Sequence, residues 1–580
     1  MAYPKAEVKA ARLALLTFLF FLVVLFNLFW LEVLNGDFYR ELSEKNRLRV
    51  LYLEPSRGKI LDRRGRGLAT SRLSFNCTLI PREGKNTIHE TLRVLGPVLK
   101  EEPDRLEMIF KKNKTSAFGS VILAEDIGFS QAMAVEEMLD SLPGVMVETR
   151  PQREYPYAEV AAHLVGYTGP RTDEEEEENE EDAYRSSDWV GIDGVEKSYE
   201  DYLRGRPGGI QMEVNSRGRF LRALGMRQPR EGRDITLTID AELQKGVQGL
   251  LRDKKASVIV MELKDGGILC LNSAPSYNNN LFASFRGRRD VGKFLAGPHA
   301  PMVNRGIRGQ YPPGSVFKIV TAMAGLENGK LKTSASYRCP GFMLLGGQRF
   351  GCWFSPGHGD QGLTEAFAHS CDVFFYLAGL SAGGEALVSK ALEFGFSQKT
   401  GIDVPGERKG FVPSREWKRK KLGQGWYDGD TANLAIGQGY LEVTPLQALV
   451  MVGVVATGGE RLVPHVLDKI DGTKVSERHG TRVRMTAESL EAVKKGLDAV
   501  VNMDTGTGRL ARYPGLRVAG KTGTAQSGQA EDHAWFVGYA PAENPKVAMV
   551  VFIENGGHGG VAAAGVAHEV WKFLKEAHYV

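Results

Sequence analysis

Residues 311–318 read Tyr-Pro-Pro-Gly-Ser-Val-Phe-Lys, a proline and glycine turn that leads directly into an apolar stretch ending near Gly329. The apolar residues after the turn recur with helical spacing, which places Ser315 in the first turn of a largely buried helix. Lys318 follows one turn later on the same face, where an amine kept neutral by apolar surroundings would serve as a base for the Ser315 hydroxyl. A serine that caps a helix beside a surface lysine explains the same four residues, so this motif decides nothing alone.

The length and composition indicate a multidomain globular protein. A chain of 580 residues exceeds what one hydrophobic core organises, so two or more domains are expected. The 74 basic and 70 acidic residues leave a formal charge of +4, and no basic stripe interleaved with aromatic residues stands out, so we expect no nucleic-acid partner. The cysteines are scarce and odd in number, which argues against a disulfide framework.

The first apolar stretch has the length of a membrane-spanning helix. Residues 13–31 are almost wholly apolar, and we expect a transmembrane anchor at 13–34 after a cytoplasmic tail at 1–12. A cleaved signal peptide would have a shorter apolar region and a small-residue cleavage site, neither of which is evident before Asn35. Basic residues on the two sides nearly balance, so they do not decide the orientation.

The rest of the chain divides into two predicted domains. Residues 35–232 alternate short strand-like and helical pieces without a cluster of catalytic residue types, which indicates a non-catalytic domain. Residues 233–580 begin with an alternating strand and then mix strands with helices. Two late strands, 516–525 and 546–553, suggest an antiparallel sheet packed by helices. The predicted fold class is therefore α+β.

Three local features of the non-catalytic domain have distinct patterns. Residues 57–65 have the pattern of a strand that enters a glycine turn, and residues 191–196 that of a turn before a helix. An acidic run at 173–182 lies between them. Such a block of like charge is typical of a solvated loop, and we assign it neither a metal nor a partner.

Two short motifs downstream of Ser315 change its interpretation. The first is Ser370-Cys371-Asp372, and the second is Lys521-Thr522-Gly523-Thr524 at the end of a predicted strand. Ser-x-x-Lys, Ser-x-Asn/Asp and Lys-Thr-Gly, in this order, form the set shared by penicillin-binding proteins and serine β-lactamases. Each motif is weak alone, but their order and separation make the set specific.

Acyl transfer explains why these residue types occur together. It needs a nucleophile, a base, a proton route to the leaving amine and donors for the developing oxyanion. Ser315 and Lys318 supply the first two. Ser370 is predicted to relay a proton, while the positive charge of Lys521 helps to keep Lys318 neutral.

The remaining motif residues are predicted to contact the substrate. Thr522 and Thr524 offer hydroxyl groups to a substrate carboxylate, and Gly523 lets the substrate approach the strand closely. By resemblance to the family, the backbone N–H groups of Ser315 and Thr524 form the oxyanion hole. Asp372 stands where asparagine is commoner in the family, so its role as a contact for a substrate amide is doubtful.

The resemblance extends over nearly the whole chain after residue 10 and identifies a class B penicillin-binding protein. Its further segments are the membrane anchor, 57–63, 191–196, 437–439, 444–447 and 535–541. Trp417 and residues 426–430 resemble the elongation branch of that class. The resemblance implies an N-terminal transmembrane helix, an elongated pedestal or dimerisation domain, and a β-lactamase-like transpeptidase domain.

The same resemblance implies a D,D-transpeptidase that cross-links peptidoglycan stem peptides and is acylated by β-lactam antibiotics. It implies an anchor in the cytoplasmic membrane with the catalytic domain outside, a RodA-type glycan polymerase and an MreC-type scaffold as partners. Two other functions remain open. One is a D,D-carboxypeptidase or β-lactamase, in which water takes the acyl group, and the other is a penicillin sensor or non-catalytic activator of the polymerase.

Three cysteines and a histidine between the first two motifs predict a metal site. Cys339, Cys352, His358 and Cys371 are separated by 12, 5 and 12 residues in a segment with few residues that build a core. Three thiolates and an imidazole are a closed ligand set for structural zinc. The alternative is a Cys339–Cys352 disulfide, favoured by an oxidising exterior. Zinc is the better interpretation because a disulfide leaves Cys371 unexplained.

Overall fold

The computed structural model describes residues 4–37, 48–81, 88–113, 120–171, 189–214, 220–283, 291–292, 299–476, 478–528 and 531–580. The acidic run 173–182 and the basic residues at 40–47 lie outside these ranges, so the interpretation of that run stays a prediction.

The helices of the described residues are numbered here in chain order. They are α1 (Pro4–Phe29), α2 (Ile88–Leu99), α3 (Pro103–Asn113), α4 (Phe129–Glu136), α5 (Ala162–Val165), α6 (Gly194–Ser198), α7 (Glu200–Leu203), α8 (Ala241–Leu250), α9 (Lys318–Glu327), α10 (Leu363–Ala368), α11 (Asp372–Ala382), α12 (Gly384–Glu393), α13 (Arg415–Leu422), α14 (Asp428–Ala435), α15 (Pro445–Ala456), α16 (Ala487–Asn502) and α17 (Ala562–Glu576).

The strands are numbered in the same way. They are β1 (Leu48–Leu53), β2 (Ile60–Leu61), β3 (Gly67–Leu79), β4 (Val121–Ile127), β5 (Val145–Glu154), β6 (Thr168–Pro170), β7 (Trp189–Gly191), β8 (Gly208–Val214), β9 (Phe220–Arg227), β10 (Ile235–Leu237), β11 (Ala256–Glu262), β12 (Ile268–Ala274), β13 (Ser336–Cys339), β14 (Phe342–Leu345), β15 (Gln348–Gly351), β16 (Gly359–Gly362), β17 (Glu460–Arg461), β18 (Leu467–Ile470), β19 (Thr473–Lys474), β20 (Thr481–Arg482), β21 (Ala519–Ala525), β22 (His533–Ala540) and β23 (Val547–Ile553).

The N-terminal helix matches the predicted anchor. Residues 8–34 form one continuous helical stretch with a mean hydropathy of 2.5, and none of its most apolar window is buried inside the protein. The last turn, Trp30–Leu34, is a π-helix. By length and composition this helix is able to cross a membrane.

The chain folds into two compact units, each built from several stretches of sequence. Unit 1 comprises residues 1–56, 75–150 and 205–231, and unit 2 comprises 57–74, 151–204 and 232–580. One boundary between the units lies at 231/232, within one residue of where the sequence analysis placed it, and two earlier stretches, 57–74 and 151–204, belong to the same unit as the motif residues.

Unit 1 contains a three-stranded antiparallel sheet and a small hydrophobic core. The sheet has the order β1-β8-β9. The core collects apolar side chains from the end of β3, from β4 and from α2, α3 and α4, with Leu95 and Leu106 fully buried at its centre. No motif residue of the predicted catalytic set lies in this unit.

A five-stranded antiparallel sheet organises unit 2, as predicted for an α+β fold. Its order is β12-β11-β23-β22-β21. Every residue of β12, β22 and β23 is buried, so both faces of the sheet are covered. Helices α15 and α17 pack on strands β22 and β23. The sequence analysis identified β21 and β23 but did not identify β22, which lies between them.

Residues 57–65 fold as the predicted strand and glycine turn, and the strand pairs with the start of the 233–580 region. Strand β2 lies parallel to β10 and antiparallel to β3. Asp62 is fully buried, and its carboxylate accepts backbone N–H groups from Arg64, Arg66 and Ala241. This stretch is therefore an integral part of unit 2.

Candidate active site

A tight turn at residues 311–317 presents Ser315. Gly314 has φ of +54°, and a Cβ atom there would lie 2.6 Å from the carbonyl oxygen of Thr524, so only glycine fits the turn without strain. The Gly314 N–H donates to the Gly437 carbonyl at 3.0 Å, and Tyr311 exchanges backbone hydrogen bonds with Val443. The serine remains partly exposed, while the next residues are buried.

The helix begins one turn later than the spacing predicted. Residues 314–317 form a 3₁₀ turn, and α9 starts at Lys318. The relation between Ser315 and Lys318 survives this change, because side chains three residues apart align along a 3₁₀ turn as well.

Lys318 is fully buried and surrounded by oxygen atoms. Its Nζ lies 2.7 Å from Asp372 Oδ1, 2.8 Å from the Ser370 carbonyl oxygen and 3.2 Å from Ser370 Oγ. The contact with Asp372 is an ion pair in a buried site. The structure thus gives Lys318 a carboxylate partner that the sequence analysis did not foresee.

Ser370 connects the two lysines of the motifs. Its Oγ lies 2.9 Å from Lys521 Nζ, and Lys521 is also fully buried. Burial, and then the positive charge of Lys318, lower the pKa of Lys521 well below its usual value. The sequence analysis assigned the charge to Lys521 and the neutral state to Lys318, whereas the structure favours neutral Lys521 and pairs Lys318 with a carboxylate.

Asp372 makes contacts within the protein. Its Oδ2 accepts the backbone N–H of Trp353 at 2.8 Å, while Oδ1 contacts Lys318. The residue is the first of α11, a position where the helix dipole favours a carboxylate. Asp372 therefore fixes Lys318 and the Trp353 backbone, and the substrate-amide contact that was in doubt has no support from this geometry.

Strand β21 carries the third motif into the site. Thr522 Oγ1 lies 2.9 Å from Thr507 Oγ1, and Thr524 Oγ1 accepts the Gly559 N–H at 3.2 Å. Thr507 has no motif around it, so the sequence analysis missed it.

Gly523 serves the packing of the strand against the Ser315 turn. A Cβ atom at this position would lie 2.9 Å from Val316 Cγ2, 3.0 Å from the Pro313 oxygen and 3.1 Å from Trp535 Cβ. The glycine therefore permits a close approach of the strand to the turn that carries Ser315, and its role in substrate approach stays a prediction.

The three cysteines and the histidine predicted to bind metal come together beside Ser370. Their four potential ligand atoms lie within 4.8 Å of one another, and they belong to Cys339, Cys352, His358 and Cys371. His358 Nδ1 is 3.7 Å from the Cys339 sulfur and 3.5 Å from the Cys352 sulfur. Sulfur and nitrogen ligands about 2.3 and 2.0 Å from one zinc ion in tetrahedral geometry lie about 3.6 Å apart.

No disulfide joins these residues, because all five cysteines of the chain are free in the structure. The cysteine thiols also interact directly. Hydrogen bonding from the Cys371 thiol lowers the pKa of Cys352, while burial acts in the opposite direction. A tight set of three sulfur atoms and one imidazole nitrogen suits a soft divalent cation.

Residues 256–572 match the sequence profile of the penicillin binding protein transpeptidase domain, and residues 52–237 match that of the penicillin-binding protein dimerisation domain. The chain belongs to the penicillin-binding proteins. The family predicted from the three motifs is thus confirmed, together with the α+β architecture of dimerisation and transpeptidase domains.

Relatives of this penicillin-binding protein match it over most of its length. Peptidoglycan D,D-transpeptidase MrdA of Acinetobacter baumannii is 34% identical over 556 residues, which are 92% of this chain and 82% of that protein. MrdA of Escherichia coli K12 is 33% identical over 590 residues, which are 96% and 93% of the two chains. A solved complex between PBP2 and MreC from Helicobacter pylori contains a chain with a TM-score of 0.82 and 30% identity, covering 92% of this chain and all of that one.

Proposed function

We propose that this penicillin-binding protein is a peptidoglycan D,D-transpeptidase of cell elongation, with Ser315 as its nucleophile. The observation that carries the proposal is the Ser370 hydroxyl held within reach of two buried lysines, one of which, Lys318, follows the partly exposed Ser315 by one turn. Ser315 Oγ attacks the carbonyl between the two terminal D-alanines of a stem peptide. D-Alanine leaves, and an amine on a neighbouring stem then takes the acyl group from the ester.

The geometry supports a proton route through Ser370. Lys318 must be neutral before it accepts the Ser315 proton, and Ser370 Oγ is the polar atom between the two amines. A proton passes from Lys318 to Ser370 as the Ser370 hydroxyl proton passes to Lys521, which leaves Lys318 neutral and conserves charge. The proton is then available on this route for the departing D-alanine amine.

The backbone of the Ser315 turn and of β21 supports the oxyanion hole assigned by resemblance. Gly314 packs against the carbonyl oxygen of Thr524, so the two backbones are adjacent. The N–H groups of Ser315 and Thr524 are the donors in this proposal. Fixed donors aimed at a developing oxyanion are worth about 3–4 kcal/mol of barrier in other acyl transferases.

Acylation by a fluorescent penicillin tests the assignment. Ser315→Ala removes the acylated oxygen and Lys318→Ala removes the base, so neither variant should be labelled, although both should remain folded. Ser381→Ala, which changes an exposed serine at the end of α11, should label like the wild-type chain. Labelled Ser315→Ala would refute the nucleophile. Cross-linked dimers as products support the transpeptidase, and shortened monomers alone would indicate a carboxypeptidase.

The proposal includes a single-pass anchor in the cytoplasmic membrane, with the N-terminus inside and the catalytic unit outside. The 8–34 helix and the extracellular location of peptidoglycan support this orientation. Protease added to spheroplasts should then degrade the catalytic unit. A RodA-type polymerase and an MreC-type scaffold are the proposed partners, the second because PBP2 of Helicobacter pylori was solved in a complex with MreC.

Zinc is the proposed structural metal, with Cys339, Cys352, His358 and Cys371 as ligands. The distances between their ligand atoms fit one tetrahedral ion. A bound ion would supply no step of the acyl transfer. The ligand residues would hold the segment that ends at Ser370, because Cys371 is its neighbour in the chain.

A further inference from the structure

A basic segment with aromatic residues borders the Ser315 turn, and the sequence analysis overlooked it. Residues 408–421 contain seven basic residues and one acidic residue, a formal charge of +6, whereas the whole chain carries only +4. We define the basic aromatic patch as the exposed basic side chains of this segment with three rings beside them. Its members are Arg408, Lys409, Arg415, Arg419, Lys420, Lys421, Phe411, Trp417 and Tyr440.

The rings of the patch pack on each other and stay partly open to solvent. The Trp417 ring lies 4.8 Å from that of Phe411 and 5.1 Å from that of Tyr440. Tyr440 is 44% exposed, and none of the three rings is buried. Large aromatic rings that are partly exposed and packed on one another offer a flat apolar face to a ligand.

The patch is held rigidly by its own helix. The Ser414 hydroxyl caps α13 by accepting the N–H of Trp417. Lys418, in contrast to its basic neighbours, is buried and donates to both carboxylate oxygens of Asp430 at 2.7 and 2.6 Å. The one inward lysine thus attaches α13 to α14, and the other basic side chains of the helix remain on the surface.

Three hydrogen-bonded backbone stretches connect the patch to the nucleophile. Phe411 exchanges backbone hydrogen bonds with Glu442, at 2.7 and 2.9 Å, and the next residue, Val443, exchanges them with Tyr311. Gly437 then accepts from Gly314, directly before Ser315. Tyr440 lies in the middle of this connecting stretch. The patch therefore flanks the catalytic turn within unit 2.

We propose that the basic aromatic patch binds the acceptor peptidoglycan strand. The inference rests on the proposed transpeptidase function, because transfer requires a second strand whose amine reaches the Ser315 ester. A peptidoglycan strand has apolar C–H faces on its sugar rings and free carboxylates on its stem peptides. The aromatic rings of the patch can stack on the apolar faces of the sugars, and its surplus of basic side chains can pair with the carboxylates of the stem peptides.

Binding of soluble, uncross-linked peptidoglycan strands to the full chain in detergent tests the proposal. The patch variant changes Arg415, Arg419, Lys420 and Lys421 to glutamine. Its control changes Lys245, Arg252, Lys572 and Lys575, exposed residues of and beside α8 and α17, with the same loss of charge. The patch variant should bind at least about fivefold more weakly, with the loss shrinking at high salt, because surface charges act through a screened field. The control should bind like the wild-type chain.

Two substitutions of Tyr440 test the contribution of the aromatic rings of the basic aromatic patch. Tyr440→Ala should weaken strand binding, and Tyr440→Phe should restore it, because the ring and not the hydroxyl is the proposed contact. Wild-type binding by Tyr440→Ala would overturn the aromatic part of the proposal.

Three outcomes would overturn the patch as a strand site. The first is an equal loss in the patch variant and its control. The second is a patch variant that still binds peptidoglycan strands normally but no longer binds phosphatidylglycerol vesicles. That result would assign the patch to the membrane surface. The third is a loss of penicillin acylation as large as that of strand binding. Failure of Ser315 to be acylated in the wild-type chain would instead refute the proposed function, so the two failures are distinguishable.

Discussion

Lys318 and Lys521 have opposite electrostatic surroundings, although both contact one serine hydroxyl. Asp372 compensates the charge of Lys318, while Lys521 has no carboxylate within hydrogen-bond distance among the described residues. Two like charges in one buried site disfavour each other, so the charged form is disfavoured at the lysine without an anionic partner. The two sides of Ser370 are therefore electrostatically unequal.

The lowered pKa of Lys521 predicts how stability depends on pH. The folded chain binds the Lys521 proton more weakly than the unfolded chain, in which this lysine has its usual pKa of 10.5. The unfolded state therefore binds more protons below that pH, and stability rises as the pH increases toward 10.5, by at most about 1.4 kcal/mol per pH unit. Lys521→Met should lose this rise in thermal melts between neutral pH and pH 10, along with acylation.

The control for this prediction is Lys572→Met, which removes an exposed lysine. It should keep the wild-type pH dependence. If all three proteins show the same slope, folding does not lower the pKa of Lys521.

Short motifs made part of the candidate site predictable at the residue scale, whereas the partners of these residues were not. The order of the three motifs singled out Ser315, Lys318, Ser370 and Lys521, and the structure brings the last three together. Trp353 contributes only a backbone N–H, and Thr507 only a hydroxyl from a loop, so no local spacing distinguishes them. Contacts of this kind depend on the tertiary fold.

At the scale of elements, the contact between β21 and the Ser315 turn makes Gly523 a sensitive position. Gly523→Ala would place a Cβ atom against Val316 and the Pro313 oxygen, so the strand and turn must separate by a few tenths of an ångström. We expect acylation to fall by about tenfold or more, with a stability loss of about 1–3 kcal/mol. Gly249→Ala in α8, where a Cβ meets no atom within 4 Å, should retain acylation. Equal activity of the two variants would contradict the tight contact.

The segment between β13 and α11 should depend on metal. Zinc is expected at about one ion per chain, because the ligand atoms suit a closed tetrahedral site. Removing the metal with a chelator should lower the melting temperature and weaken acylation, since Cys371 adjoins Ser370. Cys371→Ser should lose the metal in elemental analysis, while Cys77→Ala, which changes a buried cysteine of unit 1, should keep it.

Absence of stoichiometric metal, combined with two fewer free thiols than the five cysteines provide, would instead indicate the disulfide.

Sequence patterns located most of the elements of the catalytic sheet. The apolar strand β23 was recognisable, and its observed bounds, Val547–Ile553, are within one residue of the predicted 546–553. Strand β22 was not recognised because its residues, His533–Ala540, include a glycine, a histidine and three aromatic side chains without alternation. A strand buried on both faces loses the period-two signal that marks a half-exposed one.

At the scale of the whole molecule, a buried ionic cluster joins the early segments of unit 2. Glu196 is fully buried, and its carboxylate accepts from Arg57 at 2.6 Å and from Arg153 at 2.7 Å. Burial alone would raise the pKa of Glu196, but the two arginines outweigh it and lower that pKa. The cluster connects residues 57, 153 and 196, which no sequence pattern would place together.

Glu196→Gln should destabilise unit 2 by about 3–5 kcal/mol, because it leaves two buried arginines without their shared carboxylate. In the wild-type chain this contribution is present above the ordinary glutamate pKa of 4.5 and is lost as the pH falls through the lowered folded value. Thermal melts and the fraction that still binds penicillin after heating would measure the effect. Glu107→Gln, which breaks an exposed pair with Lys111 in unit 1, should change the melting temperature little. Similar losses in both variants would show that the cluster has no special role.

The pairing of β2 with β10 constrains the order in which the chain is able to fold. Lys59 and Asp234, which are hydrogen bonded, are separated by 175 positions, and Tyr579 bonds to Asp240 across 339 positions. During synthesis, β2 has no β10 strand to pair with until residues 235–237 have been made, and Asp240 waits still longer for Tyr579. Closing such long loops slows folding. One edge of β2 is thus open to chaperones and proteases while the whole 62–234 stretch is being made.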